Sequence, residues 1–182
     1  GLDWSGAMTV VDAAGNVYVT GAIGGTTDFD PGPSVFNLAV SGSNDVFVVK
    51  LHSSANFIWA KLMNGIWSSE SNDIVIDAAT GAVYTTGGFE ISVDFDPGPG
   101  TYYLSVAGGE DVFISKLDAS GNFIWAKRFG GTWHEAGNSI ALDASGNVFT
   151  TGYFETTADF DPGAAVYNLT SAGGDDIFIS KL

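Results

Sequence analysis

The pentapeptide Asp28-Phe-Asp-Pro-Gly32 decides the fold, because it recurs at residues 94–98 and 159–163 with spacings of 66 and 65 residues. The other segments with this period are DVFVVKL at 45–51, which returns in similar form at 111–117 and 176–182, and NFIWAK at 56–61, which is repeated without change at 122–127. Since independent segments share one period, the chain is built from a unit of about 66 residues that occurs three times.

The composition excludes several functional classes. Hydrophobic residues make up 45% and aromatic residues 13% of the chain, which is too many for a disordered acidic tail. With 21 acidic and 6 basic residues, the net charge of −15 argues against binding to nucleic acid or anionic membranes, which requires clustered lysine and arginine. The absence of cysteine excludes disulfides, thiol catalysis and cysteine-ligated metals. No apolar run approaches the roughly 18 residues of a membrane span, so membrane insertion is not expected.

Each repeat carries the signals of strands joined by turns. Short runs of β-branched and aromatic residues alternate with Gly, Asn, Asp and Ser, and no stretch shows the period of a helix. We predict four strands per repeat, A to D, with a longer excursion between B and C that carries the pentapeptide. The predicted spans are A near 139–143, B near 147–154, C near 111–117, D near 122–129 and an excursion strand at 166–170. The turn glycines Gly15, Gly121 and Gly146 should have positive φ.

These repeats predict an all-β protein, a β-propeller built from four-stranded blades of about 66 residues. The main alternative, a β-helix, has much shorter coils. The chain would form a single repeat domain, 1–182, with repeats at 1–64, 65–130 and 131–182. The third repeat lacks strand D, so about three blades form an incomplete ring. Its expected partners are further blades of the same polypeptide or identical copies that close the ring as a homo-oligomer.

A resemblance to a known family rests on four segments. They are NFIWAKRFGG at 122–131, DASGNV at 143–148, ADFDPG at 158–163 and DDIFISKL at 175–182. Together they resemble the bacterial SBBP (seven-bladed β-propeller) repeat family, and the resemblance covers essentially the whole chain. It implies a secreted or cell-surface bacterial protein in which the propeller is part of a larger polypeptide. It implies no catalytic motif, so the chain is not expected to be an enzyme.

The acidic excursions are the best candidates for a metal site. The two Asp residues of each pentapeptide alternate around Phe, so both carboxylates project to one side of an extended segment, and two repeats add a Glu four residues earlier. Such oxygen ligands suit calcium. The candidate ligands are Asp28, Asp30, Glu90, Asp94, Asp96, Glu155, Asp159 and Asp161. The alternative is that the second Asp forms an Asx turn before Pro-Gly while the first is solvated.

The tryptophans fall into two groups with different expected roles. Trp59 and Trp125 lie within strand D and are expected in the core between neighbouring blades. Trp67 and Trp133 lie in the connection from strand D to the next strand A. Exposed tryptophans in such loops stack on sugars in propeller lectins, so these two are candidate ligand-binding residues. The alternative is that they pack against the neighbouring blade.

Five of the six basic residues occupy fixed repeat positions, and Arg128 is the exception. The repeated lysines are Lys50, Lys116, Lys181, Lys61 and Lys127. We expect them to pair with repeated acids rather than to catalyse a reaction. The candidate acids are Asp12, Asp77 and Asp143, or Asp45, Asp111 and Asp176.

Repetition favours a non-enzymatic extracellular module that serves as a scaffold or interaction surface, because catalysis needs a unique constellation of groups. The second hypothesis is a carbohydrate-binding propeller that uses the loop tryptophans Trp67 and Trp133. A third, an enzyme fragment such as a glycoside hydrolase, is opposed by the repetition of the acids.

Overall fold

The computed structural model describes residues 4–182, with side chains from residue 7 onward. Within this range the chain has fifteen β-strands and no helix, and thus no helix that could cross a membrane. The all-β prediction is therefore confirmed. In chain order the strands are β1 (Trp4–Val11), β2 (Val17–Ile23), β3 (Thr26–Asp28), β4 (Asn37–Ala39), β5 (Asp45–Leu51), β6 (Phe57–Gly65), β7 (Ser69–Ile76), β8 (Val83–Asp94), β9 (Tyr103–Leu117), β10 (Phe123–Gly131), β11 (Glu135–Leu142), β12 (Val148–Phe154), β13 (Thr157–Asp159), β14 (Asn168–Thr170) and β15 (Asp176–Lys181).

The strands form three antiparallel units in the predicted order. The first unit is β1-β2-β5-β6 and the second is β7-β8-β9-β10, each with strands A to D paired in sequence. The third unit is β11-β12-β15, which corresponds to strands A to C. The turns between strands A and B and between C and D contain Gly15, Gly121 and Gly146 with φ of 82°, 78° and 81°, as predicted.

The excursion differs from the prediction, because it is a two-stranded hairpin rather than a loop with one short strand. In the first and third units the hairpins are β3-β4 and β13-β14. In the second unit the hairpin strands continue β8 and β9, which is why these strands reach 12 and 15 residues. Each later hairpin also pairs with the preceding unit, through Gly65 with Val93 and through Gly131 with Ala158. The excursion therefore joins neighbouring units.

Apolar residues are buried mainly where one unit meets the next. One cluster joins Val46 and Val48 of the first unit to Phe89 and Phe113 of the second. An equivalent cluster joins the second unit to the third. Burying a side chain of this size contributes about 1.5–3 kcal/mol, so these junctions hold the units together. A third cluster lies within the first unit.

The strand D tryptophans lie at these junctions, as predicted. Trp59 packs at the edge of the first junction, and its ring lies 6.2 Å from that of Tyr18 in an edge-on arrangement. Trp125 repeats this contact at the second junction, with its ring 6.0 Å from that of Tyr84. Both side chains are half-buried. The identical geometry in two units shows that these tryptophans are structural.

Candidate functional site

The Asp-Phe-Asp-Pro-Gly segments close the tip of each excursion hairpin. In the second unit, Asp94 Oδ1 accepts hydrogen bonds from the amides of Asp96, at 3.1 Å, and Tyr102, at 2.7 Å. Asp96 Oδ1 accepts a bond from the Gly98 amide at 2.8 Å. The same three bonds recur in the first and third units. The Asx-turn interpretation of the second Asp is confirmed, and the first Asp is not simply solvated, because it ties both sides of the tip together.

The predicted calcium ligands do not form a three-residue metal cluster in any of the three hairpins. Among residues 7–182, no three carboxylate or imidazole side chains lie close enough together to hold one metal ion. The Oδ1 atom of each Asp in the tip already accepts one or two amide bonds, which leaves Oδ2 for a cation. Glu90 faces a cavity lined by other glutamates rather than the tip of its hairpin. Calcium binding by these segments stays a prediction.

The cavity beside Glu90 is acidic and was not predicted. It has a volume of about 260 Å³ and is lined by Glu70, Glu90 and Glu110, with Tyr153 from the third unit. Glu90 and Glu110 are directly opposite each other in the β8–β9 ladder. Burial, with smaller contributions from the neighbouring carboxylates of Glu90 and Glu70, raises the pKa of Glu110 to about 7, while His134 opposes this rise. Glu90 has a counterpart in Glu155, but Glu70 corresponds to Ala136 in the third unit, and this departure from the repeat is the signal the sequence offered.

Asp111 of β9 and Glu135 of β11 form a second acidic group, and both side chains are fully buried. Arg128 donates a hydrogen bond to Asp111 Oδ2 and forms an ion pair with it. Glu135 accepts the Gly131 amide with Oε2, at 2.9 Å. Asp111 Oδ1 and Glu135 Oε1 are buried without a hydrogen-bond partner. Burial, with a smaller contribution from the Asp111 carboxylate, raises the pKa of Glu135 to about 7. Protonation of Glu135 would leave this pair of buried acids with one negative charge, which the single Arg128 balances.

The repeated Asp at the start of strand C has one structural role in all three units. Asp45, Asp111 and Asp176 each accept, through Oδ2, the amide of the residue four positions earlier, at 3.0, 2.9 and 2.7 Å. Asp45 Oδ1 also accepts the amide of Gly65, the last residue of β6, at 2.7 Å. These acids therefore fix the end of the excursion against strand C.

The three lysines at the end of strand C form no close ion pair with the predicted acids, although, after hydrogen bonds within the turns, the charges of Lys116 and Lys181 help to lower the pKa of Asp77 and Asp143. Lys50 and Lys116 lie over the rings of Tyr18 and Tyr84, at 4.9 and 4.8 Å from the ring centres, and Lys181 lies 5.4 Å from that of Phe149. In the part of the chain with described side chains, the one ion pair is that of Arg128 with Asp111. The reason is the ladder register, which places each lysine directly opposite an aromatic residue of strand B.

The loop tryptophans are exposed rather than packed. Trp67 and Trp133 have exposed fractions of 55% and 54%. Their backbones are nevertheless held, because the Trp67 carbonyl accepts the Ser43 amide at 2.9 Å and the Trp133 carbonyl accepts the Gly109 amide at 3.1 Å. Each indole is therefore presented to solvent from a fixed loop, in the same position of two successive units.

The antiparallel four-stranded unit, repeated with the same junctions and the same loop contacts, defines an all-β repeat protein. Residues 124–160 match the SBBP family, described as a β-propeller repeat, which confirms the resemblance seen in the sequence. This stretch runs from strand D of the second unit into the excursion of the third, so it crosses one whole junction.

Two larger proteins show more distant similarity. An uncharacterized WD repeat-containing protein of Acanthamoeba polyphaga mimivirus is 35% identical over 74 residues, which cover 41% of this chain and 5% of that protein. The regulatory protein FlaEY of Caulobacter vibrioides is 23% identical over 176 residues, which cover 94% of this chain and 17% of that protein. The chain thus spans a small part of the length of these relatives.

Proposed function

We propose that the chain is a non-enzymatic β-propeller module that acts as a scaffold or interaction surface within a larger secreted or surface protein of a bacterium. The observation that carries this proposal is the identical use of the Asp-Phe-Asp-Pro-Gly carboxylates in all three units, where they bond to backbone amides. Repeated acids with structural roles support a scaffold, because an active site requires a unique arrangement of groups. The likeness to the SBBP family supports the extracellular location.

In this proposal the three units are successive blades of an incomplete ring. The strand C residues that meet the next unit are fully buried in the first two units, as for Val112 and Ile114. Their counterparts in the third unit, Ile177 and Ile179, are 82% and 76% exposed. This apolar face supports the binding of a further blade, from the same polypeptide or from an identical copy.

Sedimentation velocity tests whether identical copies close the ring. If they do, the chain should associate, and Ile179→Glu should return it to the monomer. Ile124→Glu is the matched control, because Ile124 is an exposed isoleucine of strand D outside the junction clusters. A chain that stays monomeric at high concentration leaves further blades of one polypeptide as the partner. Release of the protein from intact cells by added protease tests the surface location.

A second candidate function is carbohydrate binding by Trp67 and Trp133, which their exposure favours. Indole faces presented from fixed loops are suited to stacking on sugar rings, and two equivalent positions would bind an oligosaccharide more tightly than one. A glycan array followed by tryptophan fluorescence titration tests this function. Trp67→Ala and Trp133→Ala should each weaken binding, whereas the half-buried Trp125→Phe should not. If no glycan binds, the scaffold proposal stands without it.

A further inference from the structure

The corner between the first two units exposes three apolar side chains. Ile66 and Trp67, which lie between β6 and β7, are 61% and 55% exposed, and Ile91 of β8 is 48% exposed. The Ile66 amide donates a hydrogen bond to the Ser92 carbonyl at 3.0 Å, which continues the antiparallel pairing of β6 with β8 and brings Trp67 opposite Ile91. These side chains form one exposed apolar surface, called here the Trp67 corner.

Ile91 is an unfavourable residue for its position. Its backbone is left-handed, with φ of 61°, and the equivalent residues Gly25 and Thr156 have φ of 82° and 55°. This conformation is costly for a β-branched residue and almost free for glycine. Since the side chain is also largely exposed, packing within the chain does not account for an isoleucine here, and such outliers occur at binding surfaces.

The acidic cavity borders the Trp67 corner directly. Ser68, next to Trp67, and Glu90, next to Ile91, both line the cavity, and the Glu90 amide donates to the Ser68 carbonyl at 2.9 Å. Among residues 7–182, none of the three glutamate carboxylates of the cavity forms a hydrogen bond or an ion pair. An apolar surface and a set of carboxylates that lack a cation therefore lie side by side.

We propose that the Trp67 corner and the acidic cavity together bind a segment of another protein in which an arginine lies between apolar side chains. The apolar side chains would cover the corner, and the guanidinium group would enter the cavity. Charge complementarity identifies this occupant, because the cavity contains three carboxylates and the chain has a net charge of −15. A guanidinium group suits several carboxylates better than an ammonium group, because its donors lie in a fixed plane. The inference rests on the proposed role as an interaction surface and names its partner.

The equivalent corner of the next junction has a different chemistry. Thr132 and Thr156 are the neighbours of Trp133 at the positions that isoleucine occupies beside Trp67. The apolar part of the partner should therefore recognise the first corner only. This difference between two corners with the same backbone conformation supplies a matched control.

The test titrates the isotope-labelled 182-residue chain with the synthetic peptide acetyl-GSLRFGS-amide and follows the amide signals by NMR. The signals of Ser68, Glu90 and the Trp67 indole should shift saturably. In a second peptide, citrulline replaces arginine, which keeps the shape and removes the charge. This peptide should bind about tenfold more weakly, the loss expected for one hydrogen bond to a charged group.

Ile91→Gly separates binding from folding. It should weaken binding of the arginine peptide about three- to tenfold, while its urea midpoint should not fall, because glycine relieves the left-handed strain. Thr156→Gly makes the same change at the equivalent position of the next unit and should leave binding unchanged. Glu110→Gln should weaken binding of the arginine peptide about tenfold and that of the citrulline peptide much less.

Equal binding of the two peptides would overturn the proposal, as would unchanged binding by Ile91→Gly or the absence of a saturable shift at millimolar peptide. Displacement of the peptide by a neutral oligosaccharide would overturn it in favour of carbohydrate binding. Self-association that Trp67→Ala abolishes would assign the corner to a second copy of the chain instead. The sedimentation experiment on Ile179 does not involve this corner, so failure of the peptide to bind is distinguishable from failure of the scaffold proposal.

Discussion

Ala55 has the same left-handed backbone conformation as Gly121, with φ of 63° and 78°. The two residues occupy the same place in equivalent turns, and each amide donates to the carbonyl three residues earlier, at 2.8 and 2.9 Å. This conformation costs an L-residue about 1–2 kcal/mol and costs glycine almost nothing. The first unit therefore keeps a strained residue where the second has none.

Exchanging these residues should change stability in opposite directions. Ala55→Gly should raise the free energy of unfolding by about 1 kcal/mol, since relief of strain exceeds the entropy that glycine adds to the unfolded chain. Gly121→Ala should lower it by at least as much, because the new Cβ would lie 2.7 Å from the Lys61 side chain. At Gly146 a new Cβ would meet no atom within 4 Å. The loss of stability in Gly146→Ala therefore measures the backbone strain alone. Urea unfolding measures all three, and a destabilised Ala55→Gly variant would contradict this account.

The buried acids near β10 predict a strongly coupled pair of substitutions. Arg128→Leu should lower stability by about 2 kcal/mol, below the range for a fully buried ion pair because Arg128 is 33% exposed. Adding Glu135→Ser should recover part of the loss, because the first unit has Leu62 and Ser69 at these positions beside Asp45. A double-mutant cycle measures this coupling. Additive effects of the two substitutions would show that Glu135 and Arg128 act independently.

Stability should rise as the pH falls from about 7.5 to 5. The pKa of Glu110 and that of Glu135 are raised from 4.5 to about 7, mainly by burial, so the folded chain binds more protons than the unfolded chain in this window. Their stabilising protonation is complete below 4.5 and is lost as the pH rises through 7. Glu135→Gln and Glu110→Gln should each flatten the dependence of the urea midpoint on pH. A urea midpoint that increases as the pH is raised from 5 to 7.5 would contradict the raised pKa of these two glutamates.

At lower pH the sign reverses. Hydrogen bonds within the turns hold the pKa of the four turn aspartates below 3.8, so their contribution is present above that value and is lost as the pH falls through the folded pKa. These residues are Asp12, Asp77, Asp118 and Asp143. Because the two groups of acids act in separate pH windows, a full pH series of unfolding curves separates them.

Thermal unfolding in calcium and in chelator tests the metal hypothesis directly. A calcium site at a hundredfold excess over its dissociation constant would add about 2.7 kcal/mol and raise the melting temperature by several degrees. We expect equal melting temperatures, because the Oδ1 atoms of Asp94 and Asp96 already accept backbone amides. Asp94→Ala should destabilise the chain by about 1–2 kcal/mol in both conditions. A calcium-dependent shift that Asp96→Asn with Asp161→Asn removes would establish the site instead.

The strand order within each unit and the turn glycines followed from the sequence alone, because they depend on contacts between neighbouring segments. Alternation of apolar residues and the identity of turn residues determine structure over a few positions. The repeat at 28–32, 94–98 and 159–163 indicates that the same local structure occurs three times. The Asx turns at Asp30, Asp96 and Asp161 were predictable for the same reason.

Contacts that depend on ladder register and on packing between units were decided by the tertiary structure. From the sequence, each lysine has several acids with which it could form an ion pair, but the ladder register places Lys50 opposite Tyr18. Glu90 and Glu110 are 20 positions apart and meet because they are the last opposed pair of the β8–β9 ladder before its register shifts at the start of the excursion. The sequence left open whether Trp67 is exposed or packs against the neighbouring unit, and the structure shows it exposed. Local propensity cannot distinguish such cases, because burial depends on which surface the neighbouring unit covers.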